Sequence, residues 1–260
     1  MTTSLSPRNL GTDAAPSSAL GPIPFSRLVR VEWAKATDTR AARWLLALVA
    51  LSTAGMMLAP ILAPTSFDQT YTSYLRVAAL TLTILLPVVA ILMLTGEWSQ
   101  RSVMTTFTQE PRRIRVLNAK LAVSMVLSGG GAIFGGVVTA AGLGLAAASG
   151  RALGADLTVG AITGYLLFVL LNVLFGVALG ALLQSSATAI AACFALPAAV
   201  AVLGTASTLV SDWIDMSTTW NWVLENEWGG HVPQISISML FWVAVPLAAG
   251  VARTMRRDIG

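Results

Sequence analysis

Six stretches of the chain stay apolar over long distances: Trp44–Ala63, Val77–Thr95, Leu121–Ala148, Thr158–Leu183, Thr188–Val210 and Gln234–Ala252. A bilayer core of about 30 Å takes roughly 20 apolar residues as α-helix, so each run predicts one membrane-spanning helix. The third and fourth runs are longer than this, which predicts tilt, a kink or extension beyond the lipid. Pro60, Pro87, Pro197 and Pro246 fall inside runs, where a membrane helix tolerates proline if neighbouring groups take up the freed carbonyl. Ahead of the first run the pattern changes. Phe25, Leu28, Val29, Glu32 with Trp33, and Ala36 recur at helical spacing, while Arg27, Arg30 and Lys35 fall largely elsewhere. That spacing predicts an amphipathic helix over 25–42, lying at the membrane surface. Residues 1–24 are rich in Ser, Thr, Pro, Gly and Ala without apolar periodicity, which predicts a disordered tail and no secretory signal.

Composition agrees with the pattern. Hydrophobic residues make up 55% of the chain and charged residues 11%, against about a quarter charged in a soluble domain. The runs leave no room for a second folded unit, so residues 25–260 read as a single all-α integral membrane domain.

Charge adds orientation. Arg8, Arg27, Arg30, Lys35, Arg40, Arg43, Arg101, Arg112, Arg113, Arg115, Lys120, Arg253, Arg256 and Arg257 lie in segments on one side of the predicted membrane, and only Arg76 and Arg151 on the other. The positive-inside rule assigns the first set, and with it both termini, to the cytoplasm. The pI near 9.8 is therefore topological, with contact to anionic lipid headgroups, and does not indicate nucleic acid.

Candidate chemistry is sparse. No Asp, Glu, Lys, Arg or His lies within the six runs, whereas ion-coupled carriers, voltage sensors and intramembrane hydrolases depend on ionisable groups at membrane depth. Cys193 stands alone in an apolar run and reads as a small packing residue. His231, the only histidine, reads as a solvent-facing loop residue, and one histidine builds no histidine metal cluster. Asn172 lies mid-span, suited to a hydrogen bond with a neighbouring helix or to a translocation path. The pairs Gly131–Gly135, Gly160–Gly164 and Gly176–Gly180 carry the spacing that lets helices approach closely. Lys35 and Lys120 each follow Ala, so neither forms a phosphate loop.

Two connections stand out. The cytoplasmic loop 96–120 opens on Glu97, continues with Val103, Met104 and Phe107 at helical spacing, and closes with Pro111, Arg112, Arg113 and Arg115. A short helix with that apolar edge suits a groove on a partner; a solvated loop whose arginines only set topology is the plainer alternative. The outer segment 211–233 holds Asp212, Asp215, Glu225 and Glu227 with Trp213, Trp220, Trp222 and Trp228. Tryptophan at this density predicts short helices dipping into the outer leaflet.

The two basic segments carry a resemblance. Val31-Glu32-Trp33-Ala34-Lys35, together with Gly96-Glu97, Thr105-Thr106, Pro111-Arg112-Arg113 and Ala119-Lys120, resembles the signatures of type-2 ABC transporter permeases, the membrane subunits of bacterial exporters that pair with a separate ATPase. The resemblance implies six spans, an N-terminal interfacial helix, a coupling helix between spans two and three, and re-entrant outer helices before span six. It implies two such subunits, identical or homologous, with the path between them, driven by two copies of an ATPase that binds ATP and Mg. This chain itself would hold no cofactor. Glu97, Val103, Met104, Phe107, Arg112 and Arg113 would then couple ATPase motion to the spans, and the uncharged spans would suit an amphipathic or lipid-like substrate. A non-transporting scaffold or immunity-type protein shares the topology, and a membrane-embedded enzyme is disfavoured by the missing acids, bases and metal ligands.

Overall fold

The computed structural model describes residues 23–99, 112–154 and 156–256, and those residues are helical with short connections. The elements are α1 (Phe25–Thr37), α2 (Arg40–Met56), α3 (Leu58–Leu62), α4 (Tyr71–Ser99), α5 (Arg113–Ala148), α6 (Val159–Leu183), α7 (Ser186–Gly204), α8 (Thr208–Trp213), α9 (Met216–Leu224) and α10 (Val232–Arg256). Six of these units are long and apolar enough to cross a membrane: Arg40–Leu62, Tyr71–Gly96, Ile114–Ala148, Val159–Leu183, Ser186–Gly204 and Val232–Arg256. Six such helices among the described residues make this a multi-pass membrane protein.

The central helices are α4 and α6. Each is 61% buried over its most apolar stretch, against 11% for α7. Leu82, Leu86, Val89 and Ala90 of α4 pack with Val169, Val173 and Val177 of α6 and Ala132 of α5. In lipid there is little hydrophobic drive between helices, so close packing of small residues holds them together. Five of the six paired glycines do this directly. A Cβ on Gly176 would lie 2.6 Å from the Pro87 carbonyl oxygen, and one on Gly180 would lie 3.2 Å from Leu94 Cβ, both on α4. A Cβ on Gly131 would meet Leu86, one on Gly135 would meet the Tyr165 hydroxyl, and one on Gly164 would strike the Val223 carbonyl oxygen. The sixth, Gly160, faces the Asn226 side chain. The three spaced glycine pairs are thus used inside the chain.

Several helix limits depart from the apolar runs. The first span is interrupted at Met57, where α2 ends and α3 begins. The second starts at Tyr71 and carries Arg76 within it; the third starts at Arg113 and carries Lys120. In these two extensions the charged side chains have partners, Arg76 with Glu225 at 3.3 Å and Lys120 with Glu32. The fifth run, expected to reach Val210, stops at Gly204. There the Thr205 amide donates to Val202 O at 3.2 Å and the Ala206 amide to Leu203 O at 3.1 Å, closing a tight turn before α8. Ala206, Leu209 and Val210 are as apolar as the helix before them, so hydropathy does not register the reversal. In α10, a π-helical turn at Leu240–Ala244 precedes Pro246, and the Val245 amide reaches back to Leu240 O. Proline has no N–H to give, and a π turn absorbs the mismatch.

Candidate functional site

The end of the bundle that carries α1 concentrates the basic residues. Helix α1 buries Glu32 and Ala36 while Phe25, Val31 and Trp33 are exposed. It lies against the first turns of α5, where Val116 and Ala119 are buried. Ala36 and Ala119 are small enough for the two helices to meet closely, and that brings polar groups into reach. Lys120 Nζ donates to Glu32 Oε2 at 2.6 Å and to the Met93 carbonyl of α4 at 3.4 Å. Both ends of the Glu32–Lys120 pair are almost wholly buried, with side chains 6% and 7% exposed. Lys35 holds the other carboxylate oxygen at 2.8 Å. Arg115 Nη2 donates to the Ile23 carbonyl just ahead of α1. One carboxylate on α1 thus joins α5 directly and α4 through Lys120.

The same end is stitched on its other side. Gln184 ends α6 in the left-handed conformation, φ 53°, and its Nε2 donates to Thr254 Oγ1 at 3.0 Å. Arg253 donates to the Leu182 carbonyl at 2.7 Å, and Thr95 and Ser186 share a hydroxyl hydrogen bond at 2.8 Å. A Cβ on Gly250 would lie 2.6 Å from the Ala181 carbonyl carbon, so α10 and the end of α6 touch backbone to backbone. Together these contacts form a polar collar running α1, α5, α4, α7, α6, α10. The collar has no group of three His, Cys, Asp or Glu that could hold a metal among the described residues. Its contacts suit mechanical linkage: they tie the ends of α4 and α5, which flank the 100–111 segment, to the rest of the bundle.

Of the expected coupling residues, Val103, Met104 and Phe107 lie outside the described residues. Glu97 falls in the last turn of α4, Arg112 is exposed at the start of α5, and Arg113 is the first residue of that helix. Asn172 is buried in α6, but its Nδ2 donates at 2.8 Å to Phe168 O of its own helix and not across to a neighbour. An asparagine one turn from a helical carbonyl satisfies itself locally when apolar side chains surround it. Cys193 is buried among apolar side chains, as expected of a packing residue.

The opposite end corrects two expectations. Trp220 is no interfacial anchor: it is 1% exposed and lies edge-on to Phe175, ring centroids 6.3 Å apart. Trp213, Trp222 and Trp228 are half-buried. His231 does not stand free in solvent; its ring stacks on Trp222 at 3.8 Å, because the 3₁₀ turn Trp228–Gly230 folds it across α9. The short helices expected before span six are α8 and α9, and Asp215 caps α9 by accepting from the Ser217 amide at 3.0 Å.

Sequence reasoning missed the Glu32–Lys120 pair. The signal was present: Glu32 is an acid on the buried stripe of an otherwise basic helix. Without the third dimension it reads as one more surface charge. Comparison with protein-family models, curated proteins and solved structures yields no match.

Proposed function

We propose that the chain is the permease subunit of an ATP-driven exporter of the type-2 ABC class, set in a bacterial cell membrane with both termini in the cytoplasm. The observation that carries this reading is the buried Glu32–Lys120 pair. It joins the two segments on which the resemblance rests, Val31–Lys35 and Ala119–Lys120, at the mouth of the 100–111 loop. In this reading a separate ATPase, present twice and holding ATP and Mg, docks on that loop through Val103, Met104 and Phe107. Glu97, Arg112 and Arg113 flank the contact, and its motion passes through α4 and α5. A second permease subunit completes the path, and the uncharged spans suit an amphipathic or lipid-like cargo.

Co-expression with candidate ABC ATPase subunits from the same genome tests the reading. The expected result is a stable complex that hydrolyses ATP and that Met104→Glu with Phe107→Glu dissociates. An intact complex with unchanged hydrolysis in that variant overturns the coupling role. A folded chain that takes up no nucleotide-binding partner overturns the transporter reading in favour of a membrane scaffold.

A further inference from the structure

Four arginines at the basic end are left over once the collar is complete. Arg27 and Arg30 lie one turn apart on α1, and Arg40 and Arg43 one turn apart at the start of α2. All four are exposed, and among the described residues none of their side chains holds a hydrogen bond or ion pair. Among the described residues, neither acid close to them in sequence supplies a counter-charge. Glu32 is already held by Lys35 and Lys120, and Asp38 accepts only from Thr37 at 3.4 Å. Large apolar side chains are exposed beside the arginines: Phe25 at 43%, Trp33 at 40% and Trp44 at 76%. Trp44 also opens the first apolar span, so this surface sits where a bilayer's headgroups meet its hydrocarbon.

An aqueous surface gains nothing from bare tryptophan, and a hydrocarbon surface rejects guanidinium. The headgroup layer accepts both: indole rings settle at the interface, and arginine forms bidentate hydrogen bonds with phosphate. We infer that α1 and the first turn of α2 form a binding surface for anionic phospholipid headgroups, with Arg27, Arg30, Arg40 and Arg43 taking the phosphates and Trp33 and Trp44 anchoring the depth. The inference requires only that the chain spans a membrane and is independent of its being a transporter.

The test compares the full-length protein with a variant carrying Arg27→Gln, Arg30→Gln, Arg40→Gln and Arg43→Gln. Nanodiscs of phosphatidylcholine with and without phosphatidylglycerol supply the probe, and the readouts are the lipid retained on extraction, by native mass spectrometry, and the unfolding temperature. The expected result is enrichment of phosphatidylglycerol around the parent, weakened by high salt, and a roughly tenfold or greater loss of that preference in the variant. The variant keeps its helix content and elution volume, because none of the four side chains is buried. Equal phosphatidylglycerol enrichment in parent and variant overturns the proposal. So does a parent without lipid preference whose arginines instead prove necessary for capturing an acidic partner protein. A thermal shift matched by inorganic phosphate alone also overturns it.

Discussion

At the residue scale, one charge pair among the described residues is almost wholly buried on both sides. Glu32 and Lys120 are 88 positions apart in sequence and 2.6 Å apart in space. Removing Glu32 leaves Lys120 buried and without its counter-charge, which typically costs about 3–5 kcal/mol, whereas removing Lys120 leaves Glu32 still paired with Lys35. Glu32→Gln should lower the unfolding temperature in detergent sharply, and Lys120→Met by less, because Lys35 still pairs with Glu32. The double variant should cost less than the sum, since the two residues share one interaction. A glycine contrast probes the packing. Gly176→Ala forces a methyl against the Pro87 backbone and should destabilise by roughly 1–3 kcal/mol. Gly144→Ala meets open space and should be near neutral in the same thermal assay. The sequence showed that spaced glycines imply close helix approach. It could not say that the partners of Gly176 and Gly180 are Pro87, Ile91 and Leu94, because partner choice is set by tertiary packing.

At the element scale, hydropathy identified the six spans well and their ends poorly. Apolar content locates the part of a helix in hydrocarbon. At the start of α5 the extra turns carry a polar contact to a distant segment, Lys120 with Glu32. On the opposite end Arg151 donates to the Ile61 carbonyl at 2.6 Å, closing the end of α3 with a cation where the helix dipole is negative. Beside it the Thr72 amide donates to both carboxylate oxygens of Asp156 at 3.3 Å. Burial pushes the Asp156 carboxyl up, but the hydrogen bonds from Thr72 outweigh it and hold the group below its ordinary value of 3.8. A lowered folded value means that the contact stabilises above pH 3.8 and is lost as pH falls through the folded value. Hydrogen exchange should therefore find the Thr72 amide protected at neutral pH and released only below about pH 3.8. In Asp156→Asn the protection should be weak and independent of acid.

For the whole molecule, the charge asymmetry legible in sequence and the collar found in space coincide at one end. Cysteine labelling checks the orientation, with Cys193 a quiet background because it is buried. Gly229→Cys should react with a membrane-impermeant maleimide on intact cells, and Ser26→Cys only after permeabilisation. The reverse pattern would invert the topology. The contact between α1 and α5 was not legible, because both segments read as independent basic flanks of separate spans. If energy enters at the 100–111 loop, that contact is where α1, α4 and α5 must move together. The most direct measurement is ATP hydrolysis and cargo transport by the reconstituted complex carrying Lys120→Met, beside Lys120→Arg, which keeps the charge facing Glu32. The account predicts that Lys120→Met folds and binds the ATPase yet loses most coupled transport, and that Lys120→Arg restores it. Parent-level transport in a folded Lys120→Met complex would contradict it.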